Sequence, residues 1–236
     1  MNPRILVLIG TPLPDTLTHA LAGAYARSAG ASGAEVRVID LAHDPVPEHP
    51  RTRDELRMPR TDADDPLDPQ VASYIEDVRW ADHIAVFYPQ WWGTYPAAMK
   101  AFIDRVLLSG FAFRYRPAGK LWDRLLTGRT ARIVMTMDSP RAWNAFVYRA
   151  AAETSLTRAI LGYCGIRTRG VTRFAEVRHR TDDTRRGWVD QAARLGGLDG
   201  AAAVSADRRH ARLGSSTGQG AGENAARTPV TTPERA

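Results

Sequence analysis

The stretch "HIAVFYPQWWGTYPAAMKAFIDRVLL", His83 to Leu108, decides the fold. Its first seven residues, "HIAVFYP" (83–89), are a near-continuous apolar run of strand length. Such a run reads as a parallel strand buried on both faces. From Ala97 the pattern changes: Ala98, Phe102, Ile103, Val106 and Leu107 recur on one helix face. Pro96 stands at the entry, where a first helical turn tolerates it. Strand, short turn and amphipathic helix make one βα unit. The turn itself holds two adjacent tryptophans, Trp91 and Trp92, where a polar connection is expected. So much aromatic surface at a strand end asks for a flat partner.

The unit recurs along the chain. "RILVLIG" (4–10) and "AEVRVIDL" (34–41) read as strands, with a helix between them that starts near Asp15 or Thr16. From His43 to Pro69 the sequence is rich in Pro, Asp and Arg without a sustained period, a long connection of the kind often used for function. A helix over 68–82 precedes the strand at His83. "ARIVMTM" (131–137) is a fourth strand, 144–163 a long helix, 166–177 a fifth strand and 181–197 a closing helix that ends at Gly196 and Gly197. Five such units predict an α/β, doubly wound, five-stranded parallel sheet with helices on both faces. The domain is expected to span residues 1–198. Residues 199–236, mainly Ala, Gly, Ser, Thr and Arg with no aromatic residue, are expected to form a disordered tail.

Composition narrows the function. The single cysteine, Cys164 in "LGYCGI", excludes an internal disulfide and reads as a small core residue. The six histidines lack the paired spacings of zinc sites, so no metal is expected. The net charge of +6 is scattered rather than gathered into a stripe, which argues against nucleic acid. No apolar run approaches the roughly 18–20 residues of a membrane span. The opening "MNPRILVLIGTP" reads as a strand rather than a leader, and a cytoplasmic location is expected.

Ligands of doubly wound sheets bind beyond the carboxyl ends of the strands, where strand order reverses. Three loops therefore matter: 10–18, 89–96 and 137–143. The first, "GTPLPDTLTHAL", leads into a helix whose first N–H groups lack internal partners, and Thr11, Thr16 and Thr18 add hydroxyls. Its spacing is neither a Walker loop nor a dinucleotide fingerprint, and a single phosphate monoester fits it better. In the second loop, the indoles can wall a planar ring, and the backbone amides before the helix can stabilise negative charge.

Four blocks in order carry a resemblance. "YPQWWGTYPAAMKAFIDRVLLSGFAF", "GTPLPDTLTHAL", "MTMDSPRAWNAFVYR" and "LGYCGIRTRGVTRF" closely resemble the flavodoxin-like NAD(P)H:quinone oxidoreductases, from about Arg4 to Gly197. That family includes mammalian quinone reductases, bacterial modulators of drug activity and ancillary subunits of glutathione-gated potassium efflux systems. The resemblance implies a flavodoxin-like strand order 2-1-3-4-5. It implies FMN, with FAD as the other possibility, and NAD(P)H as the transient hydride donor. Thr11, Thr16, Leu17 and Thr18 match the phosphate loop, and Pro89, Gln90, Trp91, Trp92 and Gly93 the loop on the isoalloxazine. Thr136, Met137, Asp138 and Ser139 match the third loop, near the ring's edge. The family is dimeric, which implies a homodimer whose substrate pocket takes Phe113 and Tyr115 from the partner, with Trp143 beside it.

Two departures stand out. Thr11 replaces a histidine common in the family. The tyrosine and histidine credited with charge relay in mammalian members have no counterpart in Pro140, Arg141, Ala142 and Trp143, so no catalytic side chain is assigned. The implied activity is ping-pong hydride transfer from NAD(P)H through the flavin to a quinone or similar flat acceptor. The rival readings are a flavin-binding ancillary subunit of a potassium efflux transporter and a one-electron carrier, the latter disfavoured by the positive charge.

Overall fold

The computed structural model describes residues 2–44, 46, 47 and 49–216, with backbone alone for 203–216. Five parallel strands, β1 (Arg4–Ile9), β2 (Glu35–Asp40), β3 (His83–Pro89), β6 (Thr130–Met137) and β7 (Arg167–Ala175), form one sheet in the order β2-β1-β3-β6-β7. Counted among themselves, they run 2-1-3-4-5, as expected. A small antiparallel hairpin, β4 (Phe113–Tyr115) with β5 (Trp122–Arg124), lies between β3 and β6 in the chain and was not foreseen. Strands this short leave no period to read.

Alternation along the strands divides the core. Ile5, Val7 and Ile9 of β1 join Ala85 and Phe87 of β3 beneath α1 (Leu17–Ala31) and the C-terminal helix. Leu6, Leu8, Val86 and Tyr88 point the other way, into the cluster under α2 (Pro69–Trp80) and α3 (Ala97–Val106). Both faces are thus covered, which is why the strands read as continuous apolar runs. Cys164 is buried in the second cluster, and burial pushes its thiol up to about 11. It is a core residue.

Two expectations are corrected. The long helix over 144–163 is broken: α4 (Arg141–Phe146) ends, Arg149 and Ala150 turn with φ of 52° and 50°, and α5 (Ala151–Thr154) begins. A π-helical stretch (Ser155–Leu161) and α6 (Gly162–Cys164) complete this segment. The closing helix does not stop at Gly197, because α7 runs from Asp182 to Ser216. Gly196 and Gly197 are not its cap. Gly196 and Gly200 lie against the α1 backbone, where a side chain would collide. Asp199, assigned to the tail by composition, is 2% exposed and binds Arg132 of β6 and Tyr25 of α1. The packed helix therefore continues past residue 198; of the tail expected over 199–236, residues 217–236 lie outside the described residues.

Candidate functional site

β1 is flanked by β2 on one side and β3 on the other, so the chain leaves the ends of β1 and β3 in opposite directions. At that switch point an open cleft of about 270 Å³ lies between the loops after β1, β3 and β6. Ten of the thirteen residues matched to the flavin loops line it.

The first loop gives one end of the cleft. Thr11 is fully buried at its floor, and Leu13, which the sequence did not single out, joins Thr16, Leu17 and Thr18. Thr16 is the N-cap of α1, with extended backbone, and the first turn carries no acidic residue. The N–H groups of Leu17 and Thr18 have no acceptor within the helix. Polar hydroxyls, unpaired amides and the positive helix end make this a place for an anion.

His19 holds that end in shape. Its Nδ1 accepts from the Thr16 N–H at 3.3 Å and lies 2.9 Å from the Thr16 hydroxyl. A neutral His19 with Nδ1 accepting must carry its proton on Nε2, which faces Asp40 Oδ1 at 3.2 Å. His43 Nδ1 meets the other Asp40 oxygen at 2.9 Å. Burial tends to raise the Asp40 carboxyl, but hydrogen bonds from His43, the Ala42 N–H and His19 outweigh it and lower it. The same Asp40 contact raises His43. Sequence spacing hid this cluster, since Asp40 and His43 stand three residues apart at the end of β2 while His19 joins them from α1. The proton on Nε2 makes it a hydrogen-bonded brace from the loop to β2.

The second loop separates the two tryptophans. Pro89, Gln90 and Trp91 line the cleft. Trp91 and Thr94 exchange two backbone hydrogen bonds of 2.9 Å, closing a tight turn over Trp92 and Gly93. Both central residues have positive φ, 51° and 73°. That conformation turns Trp92 outward, fully exposed. Gly93 is not in the lining either; a Cβ there would touch the Tyr148 ring at 3.5 Å.

The third loop closes the far side. Thr136, Met137 and Asp138 line the cleft, while Ser139 stands behind, donating its hydroxyl to Gln90 Oε1 at 3.0 Å. Asp138 accepts from the Arg178 N–H at 3.0 Å and from its guanidinium at 3.1 Å. Those bonds draw in Val177, a lining residue that no motif or period singled out.

The residues matched to a substrate pocket fall into two places. Trp143 on α4 is half exposed and packs edge-on against Tyr148, centroids 6.3 Å apart, beside the Gly93 turn. Phe113 and Tyr115 line a different cavity, about 420 Å³, with Leu107, Ile160 and Tyr163. Burial and Tyr115 push the Tyr163 phenol up to about 12. Arg114 and Arg116 both pair with Asp123 across the hairpin.

The cleft has a donor-rich end without a first-turn carboxylate, and an apolar middle between Leu17, Pro89, Trp91 and Met137. A phosphorylated planar ring fits both halves. The sequence profile of a family described as flavodoxin-like fold matches residues 3–195.

The chain belongs to that family.

Among curated relatives, an FMN-dependent NADH:quinone oxidoreductase of Methylorubrum extorquens is 29% identical over 207 residues, 84% of this chain and 79% of the relative. A protein with the same description from Alcanivorax borkumensis is 33% identical over 106 residues, 42% of this chain and 54% of the relative. The chain spans little more than half the length of the first of the curated relatives it matches. Among solved structures, Smu.1420 of Streptococcus mutans is 25% identical, with TM-score 0.66 over 83% of this chain and 99% of that one. Among the described residues, no helix is long and apolar enough to cross a membrane.

Proposed function

We propose that this flavodoxin-like chain is an NAD(P)H oxidoreductase that holds FMN in the cleft and reduces a quinone or a similar flat aromatic acceptor. The observation that carries this is the meeting of three strand-end loops around one cleft with an anion end and an apolar middle. FMN suits it better than FAD, because a single phosphate monoester matches the short threonine loop. The names of the aligned relatives point the same way.

The bound flavin supplies the hydride chemistry. The protein's part follows from its own groups. Thr16, Thr18 and the first amides of α1 hold the phosphate. Trp91 and Pro89 wall the ring, Leu17 and Met137 keep water from it, and Gln90 offers an amide donor beside it. One shared face for donor and acceptor implies a ping-pong order. The exposed Trp92, Trp143, Phe146 and Val147 near the cleft support a homodimer, in which Phe113 and Tyr115 reach the partner's cleft.

Purified protein is expected to be yellow and to release FMN on denaturation. It should oxidise NAD(P)H with menadione, giving parallel double-reciprocal lines. Colourless protein that cannot be reconstituted with FMN would overturn the reading; intersecting lines would remove the ping-pong order alone.

A further inference from the structure

We propose that Glu153 is a positioning residue: acting through Asn144, it fixes which way the Gln90 amide faces in the cleft. The inference deepens the flavin reading above and rests on it for its consequence, though not for its geometry.

Gln90 lines the cleft. Its Nε2 donates to Asn144 Oδ1 at 2.7 Å, and its Oε1 accepts from the Ser139 hydroxyl at 3.0 Å. Asn144 is 2% exposed, and its Nδ2 donates to Glu153 Oε1 at 2.9 Å. The same Oε1 accepts from Arg173 Nε at 2.7 Å. Glu153 is itself 3% exposed.

A side-chain amide has a donor end and an acceptor end of nearly equal shape, so a chain of two amides can in principle run either way. Here one end decides. Two N–H donors converge on Glu153 Oε1, which can only accept. Asn144 must therefore turn its NH2 to Glu153 and its carbonyl to Gln90. Gln90 must answer with its own NH2 and leave its carbonyl to Ser139. Its second Nε2 hydrogen has no acceptor among the described residues and is available to a ligand in the cleft. A carboxylate that touches nothing in the cleft thus makes Gln90 a donor there.

The backbone is built for this contact. In one continuous helix, residues 144 and 153 would stand about 13 Å apart along the axis. The break after α4 folds the chain back instead. Arg149 and Ala150 both take left-handed conformations, a costly choice for residues with side chains. The Ala150 N–H then donates to the Asn144 carbonyl at 2.8 Å, so the turn closes on the residue that relays the signal. Glu153 keeps a further cost: its Oε2 is buried without a protein partner, at a cavity shared with Arg141, Arg173 and Gln191. A hydrophobic residue would pack α5 without either expense.

The test compares wild type, E153L, E153Q and N144A. Leucine is apolar and offers no acceptor, so it removes the direction, whereas glutamine can keep a carbonyl at the Oε1 position and accept both bonds there. In the FMN-free protein, the Gln90 NH2 pair in a 1H–15N spectrum, identified by its loss in Q90A, should move in E153L and hold its place in E153Q. In the same E153L protein the FMN dissociation constant should rise about tenfold and the visible flavin bands should shift. E153Q should restore both. If E153L does not fold, N144A, which cuts the chain at its middle, should give the same displacement and the same loss. An unmoved Gln90 pair, or unchanged FMN affinity and bands where wild type binds FMN, overturns the proposal. A wild type that takes no FMN overturns the flavin reading instead, and the amide spectrum still decides the direction.

Discussion

Gly196 of α7 lies so close to Tyr25 of α1 that a Cβ at position 196 would stand 2.2 Å from the Tyr25 carbonyl oxygen. One turn further on, Gly200 would set its Cβ 2.8 Å from the Ala29 carbonyl oxygen. The two helices therefore touch backbone to backbone over this stretch. The contact places Asp199, which lies between the glycines, against β3 and β6.

The first prediction contrasts two glycines of one helix. Alanine is favoured over glycine in a helix interior by about 1 kcal/mol. At Gly187 a Cβ would meet nothing within 4 Å, so G187A should gain most of that amount. At Gly196 the added methyl must push two backbones apart. Overpacking of this kind costs roughly 1–3 kcal/mol or more, so G196A should be destabilised by at least about 2 kcal/mol. Urea unfolding of both variants checks this. Similar midpoints for the two would show that the helices are not in contact.

The second prediction concerns acid stability. Burial tends to raise the Asp199 carboxyl, but Arg132, His83 and Tyr25 outweigh it and hold it below its ordinary 3.8. As pH falls, the unfolded chain takes up this proton first. The stabilisation is therefore full above about pH 5 and is lost as pH drops through 4 and below. D199N should cost roughly 3 kcal/mol at pH 7, since it leaves the part-buried Arg132 beside a neutral group. The gap between wild type and D199N should narrow as the pH is lowered to 3. A gap independent of pH would mean that packing, not charge, accounts for the loss.

The five sheet strands and the three cleft loops were legible because each rests on a local pattern: an apolar run of strand length, a helix start, a cluster of hydroxyls or indoles. The α4–α5 break was not. Arg149 and Ala150 carry no glycine or proline signal, and apolar residues recur at helical spacing on either side of them. The bend goes with a tertiary contact that no local pattern encodes, the meeting of Asn144 with Glu153. The extension of α7 was hidden for a related reason. A Gly- and Ala-rich stretch has little to bury by itself, and here its smallness is what lets α1 approach. Nor could composition distinguish Trp91 from Trp92, because their directions depend on a positive φ that tryptophan seldom adopts.

That distinction yields the last prediction. Trp91 lines the cleft, whereas Trp92 is fully exposed and sits at φ 51° in a two-residue turn with Gly93. Turns with positive φ at both centres favour Asn-Gly, because asparagine tolerates the left-handed region far better than an aromatic residue. W92N should therefore raise stability by roughly 0.5–1 kcal/mol and leave monomer FMN affinity within twofold. W91A removes a wall of the proposed ring site and should weaken FMN binding at least tenfold, about 1.4 kcal/mol. Fluorescence titration of FMN into each apoprotein reads the affinities, and thermal melts read the stabilities. Sedimentation of W92N tests the remaining role of the exposed indole: if a second copy covers it, the variant should dissociate at concentrations where wild type stays paired. Equal FMN losses in W91A and W92N would mean that both indoles face the ring, and that the turn opens when ligand binds.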